Sequence, residues 1–183
     1  MAVQAKLELS FFDLNEESGW THSEIRDVEL PPNQSTDLVI GMKCLGPTPK
    51  SMHKGKDGPL TWTSSHLVVV SARLLNENGE VLARYSDWPQ PFKYLDMPNP
   101  RLRVTENGEA VKVKVTKPVK GVWLSVPDAG EEVRWSGTAL DVVPGDDQVV
   151  IASGLKGRQV WVAWLGSEHP VPCAMLRALE KSR

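Results

Sequence analysis

After Asn107-Gly108 the chain reads Glu-Ala-Val-Lys-Val-Lys-Val-Thr, with Val111, Val113 and Val115 alternating against Lys112, Lys114 and Thr116. Successive side chains of a strand point to opposite faces, so this two-residue period specifies a half-buried β-strand and excludes an amphipathic helix. Asn-Gly supplies the positive φ angles of a tight hairpin turn, and Arg101–Thr105 precedes it as the partner strand. The same grammar runs through the sequence. Lys6–Phe11 places Leu7, Leu9 and Phe11 on one face, Ile25–Leu30 stops at Pro31-Pro32, and Asp37–Met42 follows. Leu67–Leu75 is denser in apolar residues, as a central strand should be, and turns at Asn76-Glu77-Asn78-Gly79 into Glu80–Tyr85. Gly121–Val126, Ala139–Val143, Gln148–Ala152 and Gln159–Leu165 complete the set, with Pro- and Gly-bearing turns between them. Only Cys173–Lys181 reads as helical. Short strands at this spacing predict an all-β chain of antiparallel β-sandwiches.

The strand set restarts after a boundary near Asp96 to Pro100, which predicts two domains, 1–96 and 97–183. The segment from Gly46 to Ser65 holds three prolines and no apolar period, and a loop of that length is functional or disordered.

Composition narrows the function. A net charge of −2 supplies no field for nucleic acid or an anionic membrane. No run approaches the length of a membrane span. The N-terminus alternates like a strand and lacks the basic and apolar regions of a signal peptide, so the expected location is the cytoplasm. Cys44 and Cys173, far apart in sequence, are too few for a disulfide framework and are expected as free thiols. The sequon Asn33-Gln34-Ser35 reads as a polar turn.

Chemistry is sparse. No Gly-x-Ser-x-Gly elbow and no phosphate-binding glycine loop occurs. His22, His53, His66 and His169 are scattered without metal-ligand spacing, so neither a metal nor another cofactor is expected. A glycosidase acting with retention needs two carboxyl groups about 5–5.5 Å apart. The pairs Glu16-Glu17, Glu131-Glu132 and Asp146-Asp147 fall in turns, where solvation explains them. Seven tryptophans remain, and indole rings can stack on sugars or fill apolar cores. Trp62, Trp123 and Trp161 are the candidates for sugar contact.

Four blocks in order, "VLARYSDWPQPFKYLDMP", "KPVKGVWLSV", "EEVRWSGTALDVVPGDDQVV" and "GLKGRQVWVAWLG", resemble the C-terminal region of β-mannosidases of glycoside hydrolase family 2. The likeness extends from about Val3 to Gly166. It implies an immunoglobulin-like or carbohydrate-binding-module-like sandwich over 1–96, then a terminal immunoglobulin-like sandwich over 97–183 with a short helical tail. In that family the catalytic glutamates belong to a barrel upstream of these modules. Asn15-Glu16 and Asn76-Glu77 imitate the family's acid/base dipeptide, but in the wrong domain, and no catalytic residue is carried over. The resemblance therefore implies non-catalytic accessory modules, inactive alone, with the absent barrel as partner. The alternatives are a free-standing carbohydrate-binding module for mannose-containing glycans and an interaction module.

Two departures from the family stand out. Ser136-Gly137-Thr138 replaces a more polar turn, which puts that turn's hydrogen bonds in question. The strand that usually precedes "LELSFFDL" is missing, so the first sandwich is expected to be incomplete, with an exposed edge open to self-association. The stretch Asp87–Tyr94 is expected to be a joint between the domains. Pro89 and Pro91 fix φ and extend the residues before them, while Trp88, Phe92 and Tyr94 supply aromatic packing.

Overall fold

The computed structural model describes residues 2–14, 19–38, 67–89, 91–92, 95, 97–127 and 132–176. The chain divides into two compact units, Met1–Asp96 and Met97–Arg183.

In the first unit β1 (Val3–Asp13), β2 (Thr21–Leu30), β3 (Val68–Leu75) and β4 (Val81–Asp87) form one antiparallel sheet in the order β2-β1-β3-β4. Leu7 opposes Leu74, Leu9 opposes Ala72 and Phe11 opposes Val70, so the alternation of β1 meets matching apolar positions on β3. Leu7, Leu9 and Phe11 are buried, with Trp20, Val28 and Leu38 packed against them. On the other face, opposed Glu8 and Arg73 make a two-pronged ion pair, Nη2 to Oε1 at 2.7 Å and to Oε2 at 2.8 Å. All of the segment "LELSFFDL" but its last residue lies within β1, which pairs with β2 on one side and β3 on the other. An open edge of this sheet is therefore to be sought at β2 or β4, the outermost strands among the described residues, rather than along β1.

The β3–β4 turn is held by Asn76. Its Oδ1 accepts from the amides of Asn78 at 3.0 Å and Glu80 at 2.8 Å, and its Nδ2 donates to Glu80 Oε2 at 2.7 Å. Gly79 follows with φ +81°, a value that glycine alone adopts without strain. Asn76→Ala is expected to lower stability by about 1–2 kcal/mol, because two amides lose their acceptor. Urea unfolding measures that loss. The dipeptide Asn76-Glu77 is thus a turn device. Asn33 likewise sits in an exposed turn, with φ 58°. Residues 37 and 38 lie outside any strand, and the rest of the expected strand Asp37–Met42, with the 46–65 loop, falls outside the described residues.

The described residues of the second unit form two sheets. One is β5 (Arg103–Asn107), β6 (Ala110–Lys114), β10 (Gln148–Ser153) and β8 (Arg134–Trp135), in the order β5-β6-β10-β8. The other is β9 (Leu140–Val142), β7 (Val119–Ser125), β11 (Trp161–Ala163) and β12 (Val171–Pro172), in the order β12-β11-β7-β9. Val104, Val111, Val113, Val119, Val122, Val142, Val160 and Val162 fill the core, joined by Leu155 and Cys173. Each such valine gains about 1.5–3 kcal/mol from leaving water, offset by the entropy of ordering the chain. The all-β, immunoglobulin-like expectation is borne out by these three antiparallel sheets. A helical turn occupies 173–176, and the remainder of the expected tail helix lies outside the described residues.

The turn at Ser136-Gly137-Thr138 is anchored by its serine. Ser136 donates its amide to the Ile151 carbonyl at 2.9 Å, and its Oγ accepts from the Ile151 amide at 2.9 Å.

Candidate functional site

The chain's acids serve structure where their partners are visible. Besides Glu8 and Glu80, Glu109 accepts from the Gly154 amide at 2.7 Å, and Asp147 pairs with Lys112 at 2.9 Å and Lys114 at 3.8 Å. Asp13 and Asp146 are the buried acids among the described residues, one in each unit. Glu132 is exposed, and Glu16, Glu17 and Glu131 lie outside the description. Among the described residues no group of three or more His, Cys, Asp or Glu side chains is placed to hold a metal ion. His22 stacks beside Trp20, with ring centroids 6.4 Å apart, and lies 5.8 Å from the ring of Phe11. His169 is exposed.

The tryptophans divide by role. Trp135 and Trp164 pack against the core of the second unit, and Trp20 against that of the first. Trp88 directly follows β4 and is only 4% exposed. Asp87, the residue before it, opposes Val70, and the neighbouring Val69 opposes Phe12. Trp88, Val69 and Phe12 are all buried. Pro89 and Phe92 are half-buried, Pro91 is exposed, and the Phe92 carbonyl accepts from the Leu95 amide at 3.0 Å. Tyr94 and Trp62 lie outside the described residues.

Trp123 and Trp161 share one surface. Val122, Leu124 and Val162 point into the core, which turns Trp123 of β7 and Trp161 of β11 outward. Trp123 opposes Ala163 and Trp161 opposes Ser125. The two indoles are therefore diagonal neighbours, at backbone positions about 7–8 Å apart. Trp123 is 52% exposed and Trp161 half-buried. Pro172 of β12 opposes Trp161 and extends the apolar strip.

A bulge in β7 lies beside this strip. Val119 opposes Val142 and Val122 opposes Leu140, so β7 carries one extra residue, and Gly121 there has φ +64°. Asp141 holds the bulge: Oδ1 accepts from the Gly121 amide at 2.9 Å and Oδ2 from Lys120 Nζ at 3.0 Å. Gln148 Nε2 donates to the Asp141 carbonyl at 2.7 Å. No local sequence pattern announces this clamp, whose partners are 20 residues apart. The alternation of Val122–Ser125 and of Val160–Ala163 was the available signal for the shared tryptophan face.

Sheet order and surface together define an all-β, immunoglobulin-like chain whose visible acids brace turns and bulges. The family described as the Mannosidase Ig/CBM-like domain matches residues 1–94, and the chain belongs to that family. It is 34% identical over 165 residues to Beta-mannosidase B of Aspergillus clavatus, covering 84% of this chain and 17% of that protein. It is 37% identical over 156 residues to Beta-mannosidase B of Aspergillus flavus, covering 82% of this chain and 16% of that protein. The resemblance to β-mannosidases is thereby borne out, and the chain spans about a sixth of the length of these curated relatives. Among solved structures, the exo-chitosanase CsxA of Amycolatopsis orientalis has a similar fold, with TM-score 0.50 and 15% identity over 93% of this chain and 24% of that one.

Proposed function

We propose that the chain supplies the non-catalytic, structural modules of a β-mannosidase whose barrel removes terminal non-reducing β-D-mannose from glycans. The observation that carries this reading is the family match over 1–94 in a chain that spans only 17% of a related β-mannosidase. The structural duties of Glu8, Glu80, Glu109, Asp141 and Asp147 support it, since a carboxylate spent on a turn or an ion pair is not poised for acid/base work. The parent reaction would use two barrel carboxylates and retain configuration. In this reading the segment from Trp88 to Tyr94 is the stiff joint between the two modules. A cytoplasmic location belongs to the same reading, and the small number of cysteines suits it.

The pure chain is expected to show no hydrolysis of an aryl β-mannoside above the buffer blank. Clear turnover by homogeneous material overturns the accessory role. A second reading, a carbohydrate-binding module, is favoured by the exposure of Trp123 beside Trp161. It predicts saturable quenching of tryptophan fluorescence by manno-oligosaccharides, which the structural role does not.

A further inference from the structure

Trp123 presents an indole 52% exposed in the middle of a sheet whose inward residues are fully packed. The half-buried Trp161, Ala163 and Pro172 continue it into an apolar strip, and strips of this kind on a protein surface are characteristic of interaction sites. We infer that the outer face of β11-β7 is the docking surface of the second unit for the remaining polypeptide of the parent β-mannosidase. This rests on the structural role proposed above and names the surface that performs it.

Three observations select that occupant. The related β-mannosidase B is about six times as long as the stretch it shares with this chain, so in such proteins the stretch has a large neighbour. The strip has the composition of an interface core, rich in tryptophan and free of unpaired charge. Lys120 and Asp141, the charged pair beside it, neutralise each other at 3.0 Å, so the face suits an apolar, uncharged counterpart. A sugar would ask instead for hydroxyl partners around the rings. Ser125, opposite Trp161, brings one hydroxyl to this face, but Ala163 and Pro172 offer no side-chain polar group, and Asp141 is occupied by Lys120 and the Gly121 amide. The bulge held by Asp141 sits two residues before Trp123 and fixes the backbone that presents it, which suits a pre-organised anchor.

The test uses a full-length chimera in which this chain replaces the matching stretch of the Aspergillus clavatus β-mannosidase B. Hydroxyl-radical labelling of Trp123 is expected to be strong in the isolated chain and reduced about tenfold or more in the chimera, as for a fully covered interface core. Trp123→Ser is expected to leave the melting of the isolated chain within about 1 °C and to lower that of the chimera by about 4 °C or more. Val149→Ser, at an exposed position on the other sheet, should move neither. Equal labelling of Trp123 in both forms, in a chimera that cleaves an aryl β-mannoside, overturns the docking face and leaves the structural role standing. A chimera that is inactive and melts in separate steps overturns the structural role, and the docking face falls with it. Saturable quenching by manno-oligosaccharides that Trp123→Ser removes gives the face to a glycan. Dimerisation of the isolated chain that the same substitution removes gives it to a second copy. Either result also overturns the inference.

Discussion

Replacing Trp88 with alanine is expected to abolish cooperative melting of the first unit. The ring is 4% exposed and follows Asp87, the last paired residue of β4, at the end of the sheet. Truncating a buried tryptophan costs about 3–5 kcal/mol, against a total stability of about 5–15 kcal/mol for an ordinary domain. Trp88→Phe keeps most of the buried area and should retain a cooperative, lower transition. Pro91→Ala, at an exposed position, should change stability by less than about 0.5 kcal/mol. Thermal circular dichroism separates the three variants. If Trp88→Ala melts like the unaltered chain but loses quenching by manno-oligosaccharides, the segment is a ligand loop and not a joint.

Asp141→Ala is the second large effect, expected at about 2–3 kcal/mol. It removes the acceptor of the Gly121 amide and leaves the half-buried Lys120 ammonium without its carboxylate at 3.0 Å. Asp141→Asn preserves an oxygen for the amide and loses only the charge, so it should cost about 1 kcal/mol. Urea midpoints measure both. Equal losses in the two variants would assign the stability to the ion pair and none of it to the bulge. The result also bears on the tryptophan face, since the bulge sets the backbone two residues before Trp123.

Local pattern made much of the fold legible. The Asn107-Gly108 turn joins β5 and β6, and the Asn76–Gly79 turn joins β3 and β4, because both rest on neighbours in sequence. The first two strands begin earlier than their apolar alternation does. Val3 and Thr21 are strand residues through pairing with Leu30 and Phe12, not through their own hydrophobicity. β8 and β12 were invisible, since two residues carry no period and both strands exist only by pairing with β10 and β11. The same limit hid the candidate sites. Glu8 meets Arg73 across 65 positions, and Asp141 meets Gly121 across 20, so each depends on a register that only the assembled sheet defines. Trp123 and Trp161 could be placed on strands from sequence, but that one face bears both follows from the pairing of β7 with β11.

Because β1 spends its main-chain donors and acceptors on both flanks, no foreign peptide can thread into the centre of the first sheet. Among the described residues, the edges left to an invading strand are β4 and β2. On β2 it would meet Glu24, Arg26, Asp27 and Glu29, side chains that stay hydrated and resist fibril-like stacking.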